Sequence, residues 1–449
     1  MSTAGREVPG MPGTPGTPGT PGTPGTPGTP ATPAAATNGS ASTQPIALTV
    51  ATDRPLIRAG ARSKRYVTIS FTAPEAPRRA ERTPVNVALV LDRSGSMSGD
   101  KITLARQAAE RSLAMLRAED RFALVVYDDR VDVVAENTPA TPEAKRRALQ
   151  VLREVQPRGS TNLGGGWLTG CEQVALHAGD STVNRCLLLT DGLANQGITD
   201  GAQLARHATE LRARGVSTST FGVGADFDER LLGGMADAGG GHAYYIDAPH
   251  RIPELITSEL GEALEVVLRE AALDITLPPY AHGEVLNTFR RTRRGGAETG
   301  DESLQVELGY VVSSQDVTVA VMIEFPRGHE GDITRARFAL AGRDRPYAAA
   351  PAEISWTWAS HEANDAQPRN RAVDRVVASL YAARARAEAT ELNRAGDYTS
   401  AGHALHAVAR HIGSYAGNDA ELADMARALM AEEQDFAAPM AAPMLKVQY

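Results

Sequence analysis

The chain has 449 residues, and its 54 acidic and 46 basic side chains give a formal net charge of -8. This length allows about two to four domains, and an acidic chain without a long basic tract is a poor candidate for binding nucleic acid or anionic lipid. Two cysteines, Cys171 and Cys186, are too few for a disulfide framework. No apolar leader opens the sequence and no apolar run reaches the roughly 18 residues of a membrane span, so we expect a cytoplasmic protein.

The first 45 residues are rich in glycine, threonine and proline. A Gly-x-Pro repeat, mostly Gly-Thr-Pro, runs from Gly10 to Pro30 and gives way to small and polar residues. So few triplets would barely sustain a collagen triple helix, whereas an extended, solvated polyproline-like segment needs no partner chains. We therefore expect residues 1–45 to form a disordered arm without a core.

Two β-prone segments follow the arm, at residues 46–51 and 66–71. Two strands alone cannot bury their faces, and further candidate strands come only after residue 270. We therefore expect residues 46–83 and 270–360 to form one β-sandwich-like domain. The segment between them is then an insertion whose ends lie close together, which is a common arrangement of domains.

The inserted segment, residues 84–269, alternates strand-like and helix-like stretches. It opens with the continuous apolar run 85–91, which predicts a buried parallel strand. Its last predicted helix spans residues 252–269. Dense alternation of this kind is typical of an α/β fold with a doubly wound, mostly parallel sheet.

The last part of the chain is helical in composition. Residues 366–436 are rich in Ala, Arg, Leu and Glu, and glycines at Gly396 and Gly417 predict breaks between helices. We expect a helical hairpin or bundle here. Residues 437–449, which include two prolines, should form a flexible tail.

Several oxygen-bearing side chains are predicted to meet at one edge of the α/β sheet. They are Asp92, Ser94, Ser96, Thr161 and Asp191. Ligands of doubly wound sheets bind outside the carboxyl ends of the strands, and carboxylate and hydroxyl oxygens suit a hard divalent cation such as Mg2+. An isolated Asp-x-Ser-x-Ser segment is more often an Asx turn or a helix cap. The two further donors in fitting order favour a metal site.

These five residues, in this order on an alternating α/β chain, resemble the metal-ion-dependent adhesion site of von Willebrand factor type A domains. The resemblance implies a Rossmann-like fold and a bound Mg2+ or Mn2+. It implies that Ser94 and Ser96 ligate the ion directly, that Asp92 and Asp191 act mostly through water, and that Thr161 does either. The segment 189–197 is similar to bacterial members of the family and to the heavy chains of inter-alpha-trypsin inhibitor.

The resemblance implies a protein-protein interaction module that is not an enzyme, in which the ion accepts a Glu or Asp side chain from a protein partner. The alternative is an adaptor or regulatory subunit for a separate AAA+ ATPase of the MoxR or magnesium-chelatase type, because this chain has no phosphate-binding loop of its own. A metal-dependent hydrolase is disfavoured because no histidine lies in the loops around Asp92, Thr161 and Asp191.

Two other acidic segments have simpler interpretations. Asp226 and Glu229 flank a predicted helix start, where a capping box is favoured over a second ion site. Asp128 and Asp129 are most simply the turn residues of a hairpin.

Overall fold

The computed structural model describes residues 46–75, 82–179, 181–295, 302–342 and 349–440. Within these ranges the strands, in chain order, are β1 (Thr49–Thr52), β2 (Leu56–Arg58), β3 (Ser63–Thr72), β4 (Val85–Asp92), β5 (Arg121–Tyr127), β6 (Val131–Pro139), β7 (Val183–Thr190), β8 (Val216–Val223), β9 (Gly240–Ile246), β10 (Val266–Thr276), β11 (His282–Val285), β12 (Arg290–Gly295), β13 (Glu302–Val312), β14 (Asp316–Phe325), β15 (Ile333–Ala341) and β16 (Ala352–Ala359).

The α-helices in the same ranges, also in chain order, are α1 (Asp100–Met115), α2 (Pro142–Glu154), α3 (Leu163–Ala175), α4 (Gly201–Ala213), α5 (Glu229–Gly239), α6 (Ile252–Leu264), α7 (His361–Ala366), α8 (Arg371–Arg394), α9 (Tyr398–Ala416) and α10 (Ala420–Phe436). None of them is both long enough and apolar enough to cross a membrane.

A six-stranded sheet in the order β6-β5-β4-β7-β8-β9 forms the centre of the inserted domain. Strands β4, β5, β7, β8 and β9 run parallel, and β6 is antiparallel at one edge. All eight residues of β4 are buried, because helices cover both faces of the sheet. Helices α1, α2 and α6 pack on one face and α3, α4 and α5 on the other.

Two mostly antiparallel sheets form a sandwich, and their strands come from before and after the insertion in sequence. One has the order β1-β3-β14-β11 and the other β12-β13-β10-β15-β16-β2. Strand β3, from before the insertion, pairs with β14, from after it, over ten residues. The inner faces share one core that includes Val67, Leu273 and Trp356. The expected fold class, an α/β domain inserted in a β-sandwich-like domain with a helical region after it, is confirmed.

The C-terminal helices pack on the sandwich and also touch the inserted domain. Helices α8, α9 and α10 share an alanine- and leucine-rich core, and α8 places Val373 and Val377 against Ala320 and Met322 of β14. At its other end, Arg394 donates to a carboxylate oxygen of Glu229 on α5 at 2.9 Å. Helix α8 therefore connects the two domains. The predicted arm, residues 1–45, and residues 441–449 of the predicted tail lie outside the described residues.

Some predicted elements differ from the structure. The helix predicted over residues 252–269 ends at Leu264, and Val266 begins β10, where it pairs with Val312 of β13. The β-branched pair at 266–267 prefers a strand that can pair across the sandwich. Strand β12 escaped prediction because its four arginines give no apolar alternation, since the whole strand is exposed. The cap of α5 is Asp228 and not Asp226, because Asp228 accepts hydrogen bonds from the first helical N–H groups.

Candidate metal centre

The site is built where two neighbouring parallel strands end. Asp92 is the last residue of β4, and Asp191 directly follows β7. The two strands pair in register, with Leu91 opposite Leu189, so both carboxylates reach the same edge of the sheet. The strand order changes direction at this point, which is where open α/β sheets bind ligands.

Asp92 is fully buried and held at both carboxylate oxygens. Its Oδ1 accepts the backbone N–H of Ser94 at 2.7 Å, and its Oδ2 accepts the hydroxyl of Thr190 at 2.6 Å. Burial raises the pKa of Asp92 to about 6, and the nearby charge of Asp191 acts in the same direction. The hydrogen bonds from Thr190 and Ser94 oppose this rise. Two adjacent buried carboxylates repel each other, so a positive charge beside them stabilises their ionised forms.

The two serines bring their hydroxyls together between the carboxylates. Ser94 Oγ and Ser96 Oγ are 3.1 Å apart, and Ser96 Oγ donates to Asp191 Oδ1 at 2.6 Å. A short 3-10 turn, Gly95–Met97, fixes the position of Ser96, and Met97 anchors the turn in the core.

Thr161 reaches the same place from a third loop. Its N–H donates to Asn195 Oδ1 at 2.9 Å, and its carbonyl accepts the N–H of Asn195 at 3.2 Å. A Cβ atom added to Gly192 would lie 3.6 Å from Thr161 Oγ1 and 3.8 Å from Ser96 Oγ. Both hydroxyls therefore face Gly192. The structure brings all five sequence-predicted donors to one edge of the sheet.

A lysine that the sequence analysis did not single out also belongs to the site. Lys101, in the first turn of α1, donates from Nζ to Asp191 Oδ2 at 2.5 Å. Asp191 is fully buried, whereas the Lys101 side chain is 26% exposed. Both oxygens of Asp191 are thus engaged, one by Ser96 and one by Lys101. Two carboxylates and one ammonium group thus leave the cluster with a net negative formal charge.

Asp128 connects two of the loops from behind. Its buried carboxylate accepts Arg93 Nε at 2.9 Å and Arg158 Nε at 2.7 Å. Its backbone carbonyl accepts the N–H of Asn162 at 2.8 Å. Asp128 does form the predicted turn, since its Oδ1 accepts the N–H of Arg130 at 2.7 Å. Asp128 also holds together the loops that carry Ser94 and Thr161, and this role is visible only in the tertiary structure.

The donors at this site fit a hard divalent cation. They are two carboxylates and three hydroxyls, without a sulfur or imidazole ligand among them. Mg2+ prefers oxygen ligands and keeps several of its waters. Both carboxylates accept two hydrogen bonds each, which hold their oxygens in place beside the serine hydroxyls.

Comparison with known proteins identifies the kind of domain that carries this site. Residues 86–258 match the family model of the von Willebrand factor type A domain. The chain is 26% identical to the uncharacterized protein YfbK of Escherichia coli over 288 residues, which are 63% of this chain and 49% of YfbK. It is 27% identical to inter-alpha-trypsin inhibitor heavy chain H1 of Mesocricetus auratus over 204 residues, which are 44% of this chain and 22% of the heavy chain.

A solved structure shares most of the fold. The von Willebrand factor type A protein from Catenulispora acidiphila superposes with a TM-score of 0.66 at 20% identity, covering 88% of this chain and 89% of that one. The matches to the two curated relatives span about half of their length or less. The structural similarity thus covers most of the fold, and the match to the family model lies in the inserted domain. The chain therefore carries a von Willebrand factor type A domain over residues 86–258, as the order of its oxygen donors predicted.

Proposed function

We propose that the chain is a non-enzymatic protein-protein interaction module whose A domain binds an acidic side chain of a partner through a divalent cation, Mg2+ or Mn2+. The observation that carries this proposal is the meeting of Asp92, Ser94, Ser96, Thr161 and Asp191 at the carboxyl ends of β4 and β7. A cation held there would supply an electrophilic centre for a carboxylate of another molecule.

The chain's own groups support this use of the ion. Thr190 and the Ser94 N–H hold the carboxylate of Asp92, and the Ser96 hydroxyl donates to that of Asp191. Neutral hydroxyls then contact the ion directly, and the ion keeps more of its attraction for an incoming carboxylate than direct contacts from both aspartates would leave. The protein's own groups would thus position the ligands of the ion.

The rim of the site offers a contact that does not involve the metal. Leu193 follows the site residues Asp191 and Gly192 and is 55% exposed, one of few large apolar side chains exposed in the described part of the chain. An apolar side chain beside a charged docking point is a usual composition for an interface. We infer that Leu193 contributes to partner binding but not to metal binding.

A capture experiment tests the proposal. The full chain, its Asp92→Ala variant and its Leu193→Ala variant are immobilised and exposed to cell extract with Mg2+ or with EDTA. We expect the wild type to capture a partner protein with Mg2+ but not with EDTA. The Asp92→Ala variant should not capture this protein. The Leu193→Ala variant should bind Mg2+ normally but capture less of the protein. A free acidic peptide should compete. Equal capture with EDTA and by Asp92→Ala would contradict the proposal.

The adaptor role toward a separate AAA+ ATPase stays a prediction, as does the cytoplasmic location. Identification of such an ATPase among the captured proteins would favour the adaptor role. Metal-dependent turnover of ester or phosphoester substrates by the purified chain would contradict a non-enzymatic function.

A further inference from the structure

A second group of metal-ligating side chains lies near the amino ends of the strands, far along the sheet from Asp92. His242 is the third residue of β9, and Glu259 and Glu262 lie one turn apart on α6. One ligand atom from each side chain lies within 4.8 Å of the other two. None of these residues takes part in the metal centre described above.

The distances suit a small transition-metal ion. His242 Nδ1 lies 3.0 Å from Glu259 Oε2 and 3.8 Å from Glu262 Oε2. Neighbouring ligands of a tetrahedral ion with bonds of about 2.0 Å are roughly 3.3 Å apart. These two separations lie on either side of this value, and the ligand oxygens of the two glutamates lie within 4.8 Å of each other.

Glu259 has the supporting contacts that a metal-binding carboxylate requires. It is completely buried and accepts the hydroxyls of Ser219 and Tyr244, each at 2.6 Å, and the guanidinium of Arg185. The N–H of His242 donates to the same Ser219 hydroxyl at 3.2 Å. Hydrogen bonds of this kind fix the orientation of metal ligands and tune their affinity.

The cluster is accessible to an ion and its remaining ligands. His242 and Glu262 are 57% and 38% exposed, and they line a cavity of about 500 Å3 together with Tyr310 and Gln315 of the sandwich. Arg185 also lines this cavity, and its buried Nε has no hydrogen-bond partner among the described residues. The cavity thus offers room for a bound water or anion beside Arg185.

We propose that His242, Glu259 and Glu262 form a second metal site, which takes Zn2+ or a similar transition-metal ion. An imidazole ligand with two carboxylates favours Zn2+ over Mg2+, which prefers oxygen ligands alone. The ion would join β9 to α6, and α6 continues directly into β10, the strand that returns the chain to the sandwich.

Titration with Zn2+ in the untagged Asp92→Ala chain tests this site without interference from the first one. We expect one equivalent of Zn2+ that millimolar Mg2+ does not displace. His242→Ala and Glu262→Gln, each added to that background, should weaken binding at least 100-fold, and Tyr244→Phe should weaken it roughly 10-fold because it removes a supporting hydrogen bond. His207→Ala is the matched control, since His207 has one glutamate neighbour at 3.9 Å.

A purely structural ion-pair network would give a different result. If the Asp92→Ala chain binds no Zn2+, or if His242→Ala and Glu262→Gln bind it as the background does, the second site does not exist. The melting temperature of each metal-free variant shows whether it folds. If His242→Ala does not fold, Glu262→Gln still tests the site, because Glu262 is partly exposed and its replacement should disturb the fold less. Mg2+ binding by His242→Ala in the otherwise wild-type chain reports separately on the first site.

Discussion

Replacing Asp128 with alanine should weaken both the fold and the metal centre, although Asp128 is not one of the five donors. Its carboxylate is fully buried and pairs with Arg93, which is 8% exposed, and with Arg158, which is 52% exposed. Removing one partner of a buried ion pair costs about 3–5 kcal/mol, whereas a half-exposed pair contributes about 1 kcal/mol or less. Arg93 retains a second partner in Asp132. We therefore expect the loss to be about 3 kcal/mol in the free energy of unfolding.

The effect on metal binding follows from the position of the two arginines. Arg93 lies between Asp92 and Ser94, and Arg158 lies three residues before Thr161. Without the carboxylate that joins these loops, the hydroxyls lose their relative placement. Loss of a supporting contact of this kind typically weakens metal affinity roughly 10- to 100-fold, and we expect this range for Mg2+ with Asp128→Ala.

Two measurements and one neighbouring residue test this reasoning. Urea unfolding in EDTA gives the stability, and calorimetric titration with Mg2+ gives the affinity. Asp129→Ala is the control, because Asp129 is 41% exposed and its ion pair within the described ranges is a long one, 4.0 Å, with exposed Arg130. It should change stability by less than about 0.5 kcal/mol. If Asp128→Ala matches Asp129→Ala in both measurements, Asp128 does not hold the loops.

Three further variants test other contacts. Lys101→Met removes a positive charge that competes with the cation, so Mg2+ should bind roughly 10-fold more tightly by calorimetry; weaker binding would mean that the lysine positions the site. Asp120→Asn leaves buried Arg82 unpaired and should cost about 3 kcal/mol at pH 7 in urea unfolding. Burial works to raise the pKa of Asp120, but Arg82 and backbone N–H groups lower it overall. The stabilisation is therefore present above the unfolded pKa and is lost as the pH falls through the lower folded pKa, so the stability difference between the two proteins should shrink as the solution becomes more acidic. Gly166→Ala would place a Cβ 2.4 Å from Tyr127 Cγ and should cost about 1–3 kcal/mol, and an unchanged urea midpoint would contradict that contact.

The sequence carried the donors of the metal centre because each one follows a recognisable local signal. Asp92 and Asp191 come directly after continuous apolar runs, and such runs are typical of strands covered on both faces. Parallel strands bring their carboxyl ends to one edge, so two strand ends were enough to place two carboxylates together.

The supporting residues could not be found in the same way. Thr190 binds Asp92, and Asp128 binds Arg93, in each case far away in the sequence. Lys101 contacts Asp191 across 90 positions. No local pattern marks such contacts. One weak signal was available, since Arg93 is a charged residue inside a buried motif and therefore requires a partner. The junction at Leu264 was misplaced because a helix that passes directly into a strand carries no glycine or proline between them.

Calorimetric titration of Mg2+ into the metal-free chain and its Asp92→Ala variant tests the central claim most directly. We expect the wild type to bind one equivalent of Mg2+ and Asp92→Ala to bind none. Asp200→Ala, which removes the exposed cap of helix α4, should bind as the wild type does. Equal binding of Mg2+ by the wild type and Asp92→Ala would show that the strand-end donors are not a metal centre.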